Sequence, residues 1–434
     1  AVALGDRESE LDSEFSLAMI ALVQGEDDAT LARLVEIARE ARAARYESVG
    51  VTSFRVAATM AARVMDYRAA ESAIGEGLEY ADAIEQSHCR QQMAATSALI
   101  DWARGDWDAA LRTARQELVE RGCRRGVLGA IPVIGLVALG RGDVDEARRW
   151  LSDALTAGRE LDDVELILPP LWGLAELALV AEDPATALTL SREALELAQR
   201  TGERPLFVPF VVTGARAAIA LRRPEQAERW LASVRAHLAG WVMAEAALAH
   251  AEGLVHLALG TLTAARASLA VAVEGWQRRG RIWETSWARL DLAQCLLRSN
   301  RHGETAALWG AVLDAARNLG SQPLLSRAEE LRRLGRARGA LDGPWHPLTA
   351  REFEVARLIA QGLTNAGIAE ELFVSPKTVS AHVEHILAKL GVGRRAEIAA
   401  WTATIDRVQA SSPGEPAEDK ERGRRAFAAP ASER

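Results

Sequence analysis

Small residues recur along the first 335 residues of the chain at a nearly constant spacing. Each follows a turn-like segment such as Gly105-Asp106-Trp107. These marker residues lie 37 to 41 residues apart and are Thr30, Ala70, Ala110, Ala147, Ala187, Ala227, Ala265 and Ala306. Twelve residues before the markers stand Ala18, Ala58, Ala98, Gly135, Ala175, Ala215, Gly253 and Gln294. Small residues on both sides of a turn let two antiparallel helices cross closely, so the pattern predicts stacked helical hairpins.

This pattern resembles the tetratricopeptide repeat, although the usual period of that class is about 34 residues. The resemblance implies an all-α, helical-hairpin solenoid of about eight repeats over residues 1–335. We therefore expect about sixteen antiparallel helices in residues 14–335 and no sheet. An array of this kind serves as a sensor or interaction domain, so we expect an effector or a protein partner to bind the repeats.

The chain contains twelve tryptophans, which either fill the core or line a binding groove. Trp150, Trp230 and Trp309 each lie three residues after a marker, so we expect them to fill the space between repeats. Trp283 and Trp287 fall outside that frame and share a helix face. The spacing leaves open a groove or a packed face for this pair and favours the packed face.

A second pattern begins at Leu348 and predicts four short helices. Thr349 and Glu352 have the spacing of a capping box, and an apolar stripe at helical spacing follows them. Gly362 and Gly391 end the first and third of these helices. Ser375-Pro376 is a strong helix start, because Ser caps and Pro suits the first helical position.

The middle two of these helices have the features of a helix-turn-helix. A tight turn at Phe373-Val374 joins them, and the second helix has a polar outer face. Ala369 is small and Val379 is β-branched, which suits a close crossing of the two helices. The polar face could enter a major groove, while Ser375 and the free N–H groups beside it could hold a phosphate.

Residues 348–401 resemble the LuxR-type helix-turn-helix. The matching pieces are Leu348-Thr349-x-Arg351-Glu352, Gly362-Leu363-Thr364-Asn365, Ile368-Ala369, Ser375-x-x-Thr378-Val379, His382-Val383 and Lys389-Leu390-Gly391-Val392. The resemblance implies binding of double-stranded DNA through Thr364, Asn365, Ser375, Lys377, Thr378, Ser380, Ala381, His382, His385, Lys389, Arg394 and Arg395. It also implies self-association on DNA through Ile398, Trp401 and Ile405, with packing of that face on the rest of the domain as the alternative. The whole arrangement resembles the C-terminal portion of the large ATP-dependent LuxR regulators.

The charge distribution qualifies this expectation. Members of the family often carry basic residues at the positions of Ser380 and Glu384, and Glu384 would repel phosphate. The net charge is −8, yet residues 344–405 contain six basic and six acidic residues, so the acidic excess lies outside them. An acidic body is a poor binder of nucleic acid. We therefore expect DNA binding only through the C-terminal unit, and only weakly for one domain.

Several classes of chemistry find no support in the sequence. There is no P-loop, no HExxH and no GxSxG motif, so we expect neither an enzyme nor a cofactor. Cys89, Cys123 and Cys295 are far apart, which argues against a zinc site or a disulfide framework and favours the cytoplasm. His382 and His385 share a helix face, but we interpret them as groove residues rather than metal ligands. No apolar run approaches 18 residues, so we expect no membrane span.

The sequence therefore predicts two domains. Residues 1–335 form the repeat domain, 336–347 an exposed Gly- and Pro-rich linker, 348–406 the DNA-binding domain, and 407–434 a disordered tail. The predicted function is that of a cytoplasmic transcription regulator, with RNA polymerase as a further expected partner. The alternative is a repeat scaffold that binds proteins and not DNA. The promoter, the effector, the direction of regulation and the presence of an ATPase module before Ala1 stay open.

Overall fold

The computed structural model describes residues 6–24, 27–120, 123–301, 304–342 and 348–410, and these ranges contain no strand. They divide into two compact units, Ala1–Arg332 and Arg333–Arg434. The helices of the first unit are α1 (Arg7–Gln24), α2 (Asp27–Ala43), α3 (Glu47–Arg63), α4 (Tyr67–Ala83), α5 (Ser87–Arg104), α6 (Trp107–Glu120), α7 (Arg124–Arg141), α8 (Val144–Glu160), α9 (Val164–Val180), α10 (Pro184–Thr201), α11 (Val208–Ala220), α12 (Pro224–His237), α13 (Glu245–Leu259), α14 (Leu262–Arg278), α15 (Ile282–Arg298) and α16 (Thr305–Leu319). Helix α17 (Gln322–Asp342) begins in the first unit and continues past its end. Short 3-10 helices, Pro205–Phe207 and Val242–Ala244, precede α11 and α13.

Helices α1 to α16 pair in chain order, and each pair flanks one of the predicted turns. The all-α hairpin array is therefore confirmed. The turn between α5 and α6 shows how the sequence specifies it. Gly105 adopts a φ of +93°, a left-handed conformation that glycine reaches without strain, and ends α5. Asp106 then accepts a hydrogen bond from the amide of Ala109, at 3.0 Å, and begins α6.

The markers and the small residues twelve positions before them lie where the two helices of a hairpin cross. Ala58 and Ala70 are fully buried, as are Ala175 and Ala187. At Gly135 an added Cβ would lie 2.6 Å from Leu151 Cγ on the neighbouring helix, closer than carbon atoms approach. The small residue is therefore required where its neighbour is large, because a close-packed interior leaves no room for both.

The array turns back so that late repeats contact early ones. Arg281, at the start of α15, donates from Nη1 to the hydroxyl of Tyr67 at 3.2 Å, although 214 residues separate them. Trp283 packs on Trp107, with ring centroids 6.1 Å apart, and also on Trp287. Trp283 is buried, so this pair forms a packed face. Trp230 is buried, but the carbonyl of Val211 that accepts from its indole N–H, at 2.9 Å, belongs to the partner helix of its own hairpin.

Residues 242–259 differ from the expectation that no apolar stretch approaches 18 residues. They form an 18-residue helical stretch that is long and apolar enough to cross a membrane by length and composition. More than half of it, 56%, is buried inside the array. The side chain of His250 lies in the middle of this stretch and is fully paired through both ring nitrogens.

The second unit contains the four predicted helices: α18 (Ala350–Ala360), α19 (Asn365–Glu371), α20 (Pro376–Leu390) and α21 (Arg395–Ala410). Two predicted boundaries differ from the structure. Helix α17 continues to Asp342, within the predicted linker 336–347, because Arg, Ala and Leu favour helix and one glycine costs only about 1 kcal/mol. Helix α21 reaches Ala410, four residues into the predicted tail. Residues 343–347 and 411–434 lie outside the described residues.

Candidate nucleic-acid interface

The first helix of the unit is fixed at its start by the predicted capping box. The amide of Glu352 donates to Thr349 Oγ1 at 3.2 Å, and Glu352 Oε2 accepts from the amide of Thr349 at 2.8 Å. The same carboxylate binds Lys389 Nζ at 2.7 Å, which ties α18 to the end of α20. Burial alone would raise the pKa of the nearly buried Glu352, but Lys389 and the capping bonds lower it overall.

Helices α19 and α20 cross as a helix-turn-helix requires. Ile368 and Ala369 of α19 and Val379 of α20 are buried together in the core of the unit. The turn between them contains Phe373, which has a φ of +55° and is 95% exposed. Ser375 then caps α20 by accepting from the amide of Thr378 at 3.1 Å. The sequence therefore positions α20 through one buried stripe and leaves its other face open.

The open face of α20 holds six of the twelve residues predicted to meet DNA. Lys377, Thr378, Ala381 and His385 are exposed, and they follow one another at helical spacing along the helix. Ser375 lies exposed at the N-terminus of the same helix, where free N–H groups attract phosphate. His382 is half-buried beside them. We call this surface the α20 face. It consists of seven residues: Ser375, Lys377, Thr378, Ala381, His382, His385 and the exposed Glu384.

Three of the twelve predicted residues are joined to one another instead. Asn365 Nδ2 donates to Ser380 Oγ at 3.1 Å, and Arg395 Nη1 donates to Asn365 Oδ1 at 2.7 Å. Arg395 Nη2 also donates to the carbonyl of Leu363 at 2.6 Å. This chain of bonds links α19, α20 and α21. Asn365, Ser380 and Arg395 thus position the helices, and sequence spacing gave no sign of it because 30 residues separate Asn365 from Arg395.

Few positive charges beside α20 are free. Lys389 is paired with Glu352, and Arg395 is committed to Asn365 and Leu363. Lys377 and Arg394 are exposed, and the side chain of neither makes an ion pair with any residue that the structure describes. Glu384 lies on the α20 face and subtracts one charge. The interface therefore offers two free cations near the groove-entering helix, fewer than the sequence alone implied.

The residues predicted to pair two copies lie on α21 and are buried to different degrees. Ile398 is completely buried in the core of the unit. Trp401 packs edge-on against Phe353, with ring centroids 6.2 Å apart, and Ile405 packs on the same core. Their spacing of three and four residues thus turns part of this face towards the core. Ile398 cannot reach a second copy, whereas Trp401 and Ile405 stay partly exposed, so pairing through these two residues stays a prediction.

The remaining predicted residues divide between capping and open positions. Thr364 caps α19 by accepting from the amide of Gly367 at 3.2 Å, and it stays exposed. The described part of the unit thus brings Ser375, Lys377, Thr378 and Ala381 together on one surface. It places Lys389 in the ion pair with Glu352.

Comparisons with known proteins agree with this geometry. Residues 346–402 match the luxR family of bacterial regulatory proteins, GerE. An HTH-type transcriptional regulator of Mycobacterium bovis is 43% identical over 77 residues, which cover 17% of this chain and 9% of that protein. The transcriptional regulatory protein LiaR of Bacillus subtilis is 48% identical over 58 residues, 13% of this chain and 28% of that protein. The chain thus matches only a small part of the length of these relatives.

The fold of the rest of the chain also has a solved counterpart. A Rap protein, crystallised with competence and sporulation factor, aligns with a TM-score of 0.50 over 83% of this chain and 98% of its own. The sequence identity is 14%, so this likeness concerns the fold alone. Together, these comparisons identify the C-terminal unit as a LuxR-family helix-turn-helix domain that follows a helical-repeat array.

Proposed function

We propose that this protein is a DNA-binding transcription regulator rather than an enzyme, and that the α20 face enters the major groove of double-stranded DNA. The observation that carries the proposal is that face: a stripe of short and polar side chains on the second helix of a helix-turn-helix. The relatives named as regulators share this part of the chain.

The side chains of the α20 face support a division of labour. Ala381 is short, so the helix can approach base edges or a thymine methyl there. Ser375, Thr378 and Lys377 surround the helix start, where phosphate contacts fix the register without reading sequence. His385 is within the exposed stripe and offers a ring nitrogen to a base edge or a phosphate. Thr364 and Arg394 extend the phosphate contacts on either side.

The repeat array supplies the control in this proposal. The Rap protein of similar fold was solved with competence and sporulation factor. We propose that this array likewise takes an effector or a protein partner, in the cytoplasm. Self-association on DNA and contact with RNA polymerase are further parts of the proposal. Pairing would use a surface other than Ile398, which is buried.

The second candidate function is a protein-binding scaffold without DNA binding. Its support is the charge balance, because Lys377 and Arg394 are opposed by Glu384 on the α20 face. The two candidates differ in whether a duplex binds at α20. A negative charge placed in the middle of that face must weaken DNA binding and leaves a scaffold unaffected.

The test is anisotropy of a labelled 30-base-pair duplex with the full chain and two matched variants. Ala381→Asp adds a carboxylate to the α20 face, and Ala400→Asp adds one to an exposed position of α21. We expect Ala381→Asp to lose at least tenfold in affinity and Ala400→Asp to bind within about twofold of the parent, since only the first meets phosphate. Absence of saturable binding by the parent chain, or equal binding by both variants, would favour the scaffold.

A further inference from the structure

The repeat array contains a cavity of about 380 Å³ that the DNA-binding proposal does not use. It lies between the turn that joins α3 to α4 and the hairpin formed by α13 and α14, so early and late repeats both line it. A cavity of about 150 Å³ is enough to bind benzene. This one therefore has room for a larger organic molecule.

The apolar part of the lining is partly open to solvent. Val242 and Val271 both line the cavity and are 70% and 44% exposed. Beside them, Gly275 of α14 packs on Ala246 of α13 so closely that an added Cβ would lie 2.7 Å from the Cβ of Ala246. The two helices cannot move closer together to cover the valines. A ligand with an apolar group would remove this surface from water.

Four charged side chains also line the cavity, two of each sign. They are Arg278 and Arg279 at the end of α14, Glu245 at the start of α13, and Asp66 in the turn before α4. None of the four has an oppositely charged atom within 4.0 Å among the residues that the structure describes. The cavity thus offers positive and negative groups that are not paired with each other.

The guanidinium of Arg279 lies at the cavity and has donors to spare. Its Nη1 donates to the Sδ atom of Met243, another lining residue, at 3.3 Å. Its Nε and Nη2 have no partner among the described residues, and neither is closed off from solvent. Burial and the neighbouring Arg278 lower the pKa of Arg279, and the opposing effect of Glu245 does not reverse this. An anion at Nε and Nη2 would stabilise the charged form.

The two carboxylates have oxygens to spare. Glu245 is exposed and close enough to act electrostatically on Arg279, although no oxygen of Glu245 reaches a guanidinium nitrogen within 4.0 Å. Asp66 is also exposed, and its Oδ1 accepts from the amide of Ala69 at 3.1 Å to cap α4. A charged group between Arg279 and Glu245 would have to satisfy both signs, because an anion alone meets Glu245 and a cation alone meets Arg279.

We propose that this cavity binds a free α-amino acid with an apolar side chain. Its carboxylate accepts from Arg279, its ammonium group donates to Glu245, and its side chain covers Val242 and Val271. A guanidinium matches a carboxylate with two parallel donors, and charge-assisted bonds of this kind are the strong ones. This assignment names the chemical class of the effector in the proposed function and rests on that proposal, but occupancy of the cavity does not require DNA.

The test is isothermal titration calorimetry of the full chain with four probes. L-leucine carries both charges and an apolar side chain. Leucinamide lacks the carboxylate, N-acetyl-L-leucine lacks the ammonium group, and glycine lacks the side chain. We expect one L-leucine to bind per chain with a Kd below about 1 mM. Each of the other three probes should bind at least about tenfold more weakly, because each loses one of the three contacts.

Variants assign the two charged contacts separately. Arg279→Gln and Glu245→Gln should each weaken L-leucine binding at least about tenfold. Arg279→Gln should also bring L-leucine and leucinamide closer in affinity, and Glu245→Gln should do so for L-leucine and N-acetyl-L-leucine. The matched controls Arg192→Gln and Glu228→Gln change exposed positions of α10 and α12 outside the cavity lining. They should bind L-leucine within about twofold of the parent chain, with circular dichroism confirming the fold of every variant.

Three results would overturn the proposal. They are no saturable binding of L-leucine, binding of leucinamide or N-acetyl-L-leucine as tight as that of L-leucine, and parent-like binding by Arg279→Gln or Glu245→Gln. Duplex binding measured on the same preparations reports separately on the proposed DNA function. Bound L-leucine without duplex binding would count against the DNA proposal alone, and normal duplex binding without bound L-leucine would count against this site alone.

Discussion

Gly158 is the most direct test of how closely the hairpins pack. It lies in α8, buried against the start of α9. A Cβ added there would lie 2.6 Å from the carbonyl oxygen of Leu166, 2.8 Å from its carbonyl carbon and 3.1 Å from the amide nitrogen of Ile167. All three are backbone atoms, so no side chain can rotate away to relieve the overlap. The two helices must separate instead.

The expected change in stability follows from two opposing effects. Replacing Gly with Ala inside a helix contributes about 1 kcal/mol in favour of the fold. Overpacking costs about 1–3 kcal/mol, and contact with backbone places this site at the upper end. We therefore expect Gly158→Ala to lower the free energy of unfolding by about 2 kcal/mol. Gly75→Ala is the matched control, because Gly75 is exposed in α4 and its added Cβ meets nothing within 4 Å.

Urea unfolding followed by circular dichroism measures both variants. Gly158→Ala should shift the midpoint to lower urea, whereas Gly75→Ala should raise the free energy of unfolding by about 0.5–1 kcal/mol. The two substitutions are chemically identical, so any effect of Ala on the unfolded chain is shared. A stabilising effect at both positions would show that α8 and α9 are not in the close contact described and would refute the reasoning.

Two further predictions concern paired charges. Burial lowers the pKa of His250, so only the unfolded chain takes up a proton on this side chain just below pH 6.5, and the free energy of unfolding should fall as the pH drops below about 6.5. In His250→Gln this fall should be shallower. An unchanged dependence of the melting temperature on pH in that variant would contradict the prediction. Lys389→Ala leaves the Glu352 carboxylate without its ion pair and should lower the free energy of unfolding of the second unit by about 1 kcal/mol. Amide hydrogen exchange of residues 350–405 should become correspondingly faster. The control Lys377→Ala breaks no ion pair and should leave that exchange unchanged; equal exchange in both variants would contradict the structural role of Lys389.

Local features of the fold were predictable from sequence. Small residues twelve apart across a turn specify a hairpin, because each turn and each crossing involves neighbours in the chain. Thr349 and Glu352 likewise form their capping box within one helical turn. The two units divide between Arg332 and Arg333, close to the predicted residue 335. The continuation of α17 to Asp342 was not predicted, because Gly-rich composition indicated a linker while the other residues there favour helix.

Contacts between distant residues were not predictable. From its sequence position alone, Lys389 is a free cation at a helix end. Only the fold brings it to Glu352, which lies 37 residues earlier in the chain. Arg281 meets Tyr67 across 214 residues, because the array must first coil. The apolar spacing of Ile398, Trp401 and Ile405 was correct as a pattern, but spacing does not say what an apolar face covers.

DNA binding by the α20 face is tested most directly by the salt dependence of duplex affinity. With Lys377 and Arg394 as free cations, the slope of log affinity against log salt should be small, about −2. Glu384→Lys should tighten binding and steepen the slope by about 0.9, since one more phosphate contact forms. The control Glu228→Lys makes the same charge change at an exposed position of α12 in the repeat array and should leave the slope unaltered. If Glu384→Lys and Glu228→Lys give the same slope as the parent chain, α20 does not lie on the DNA.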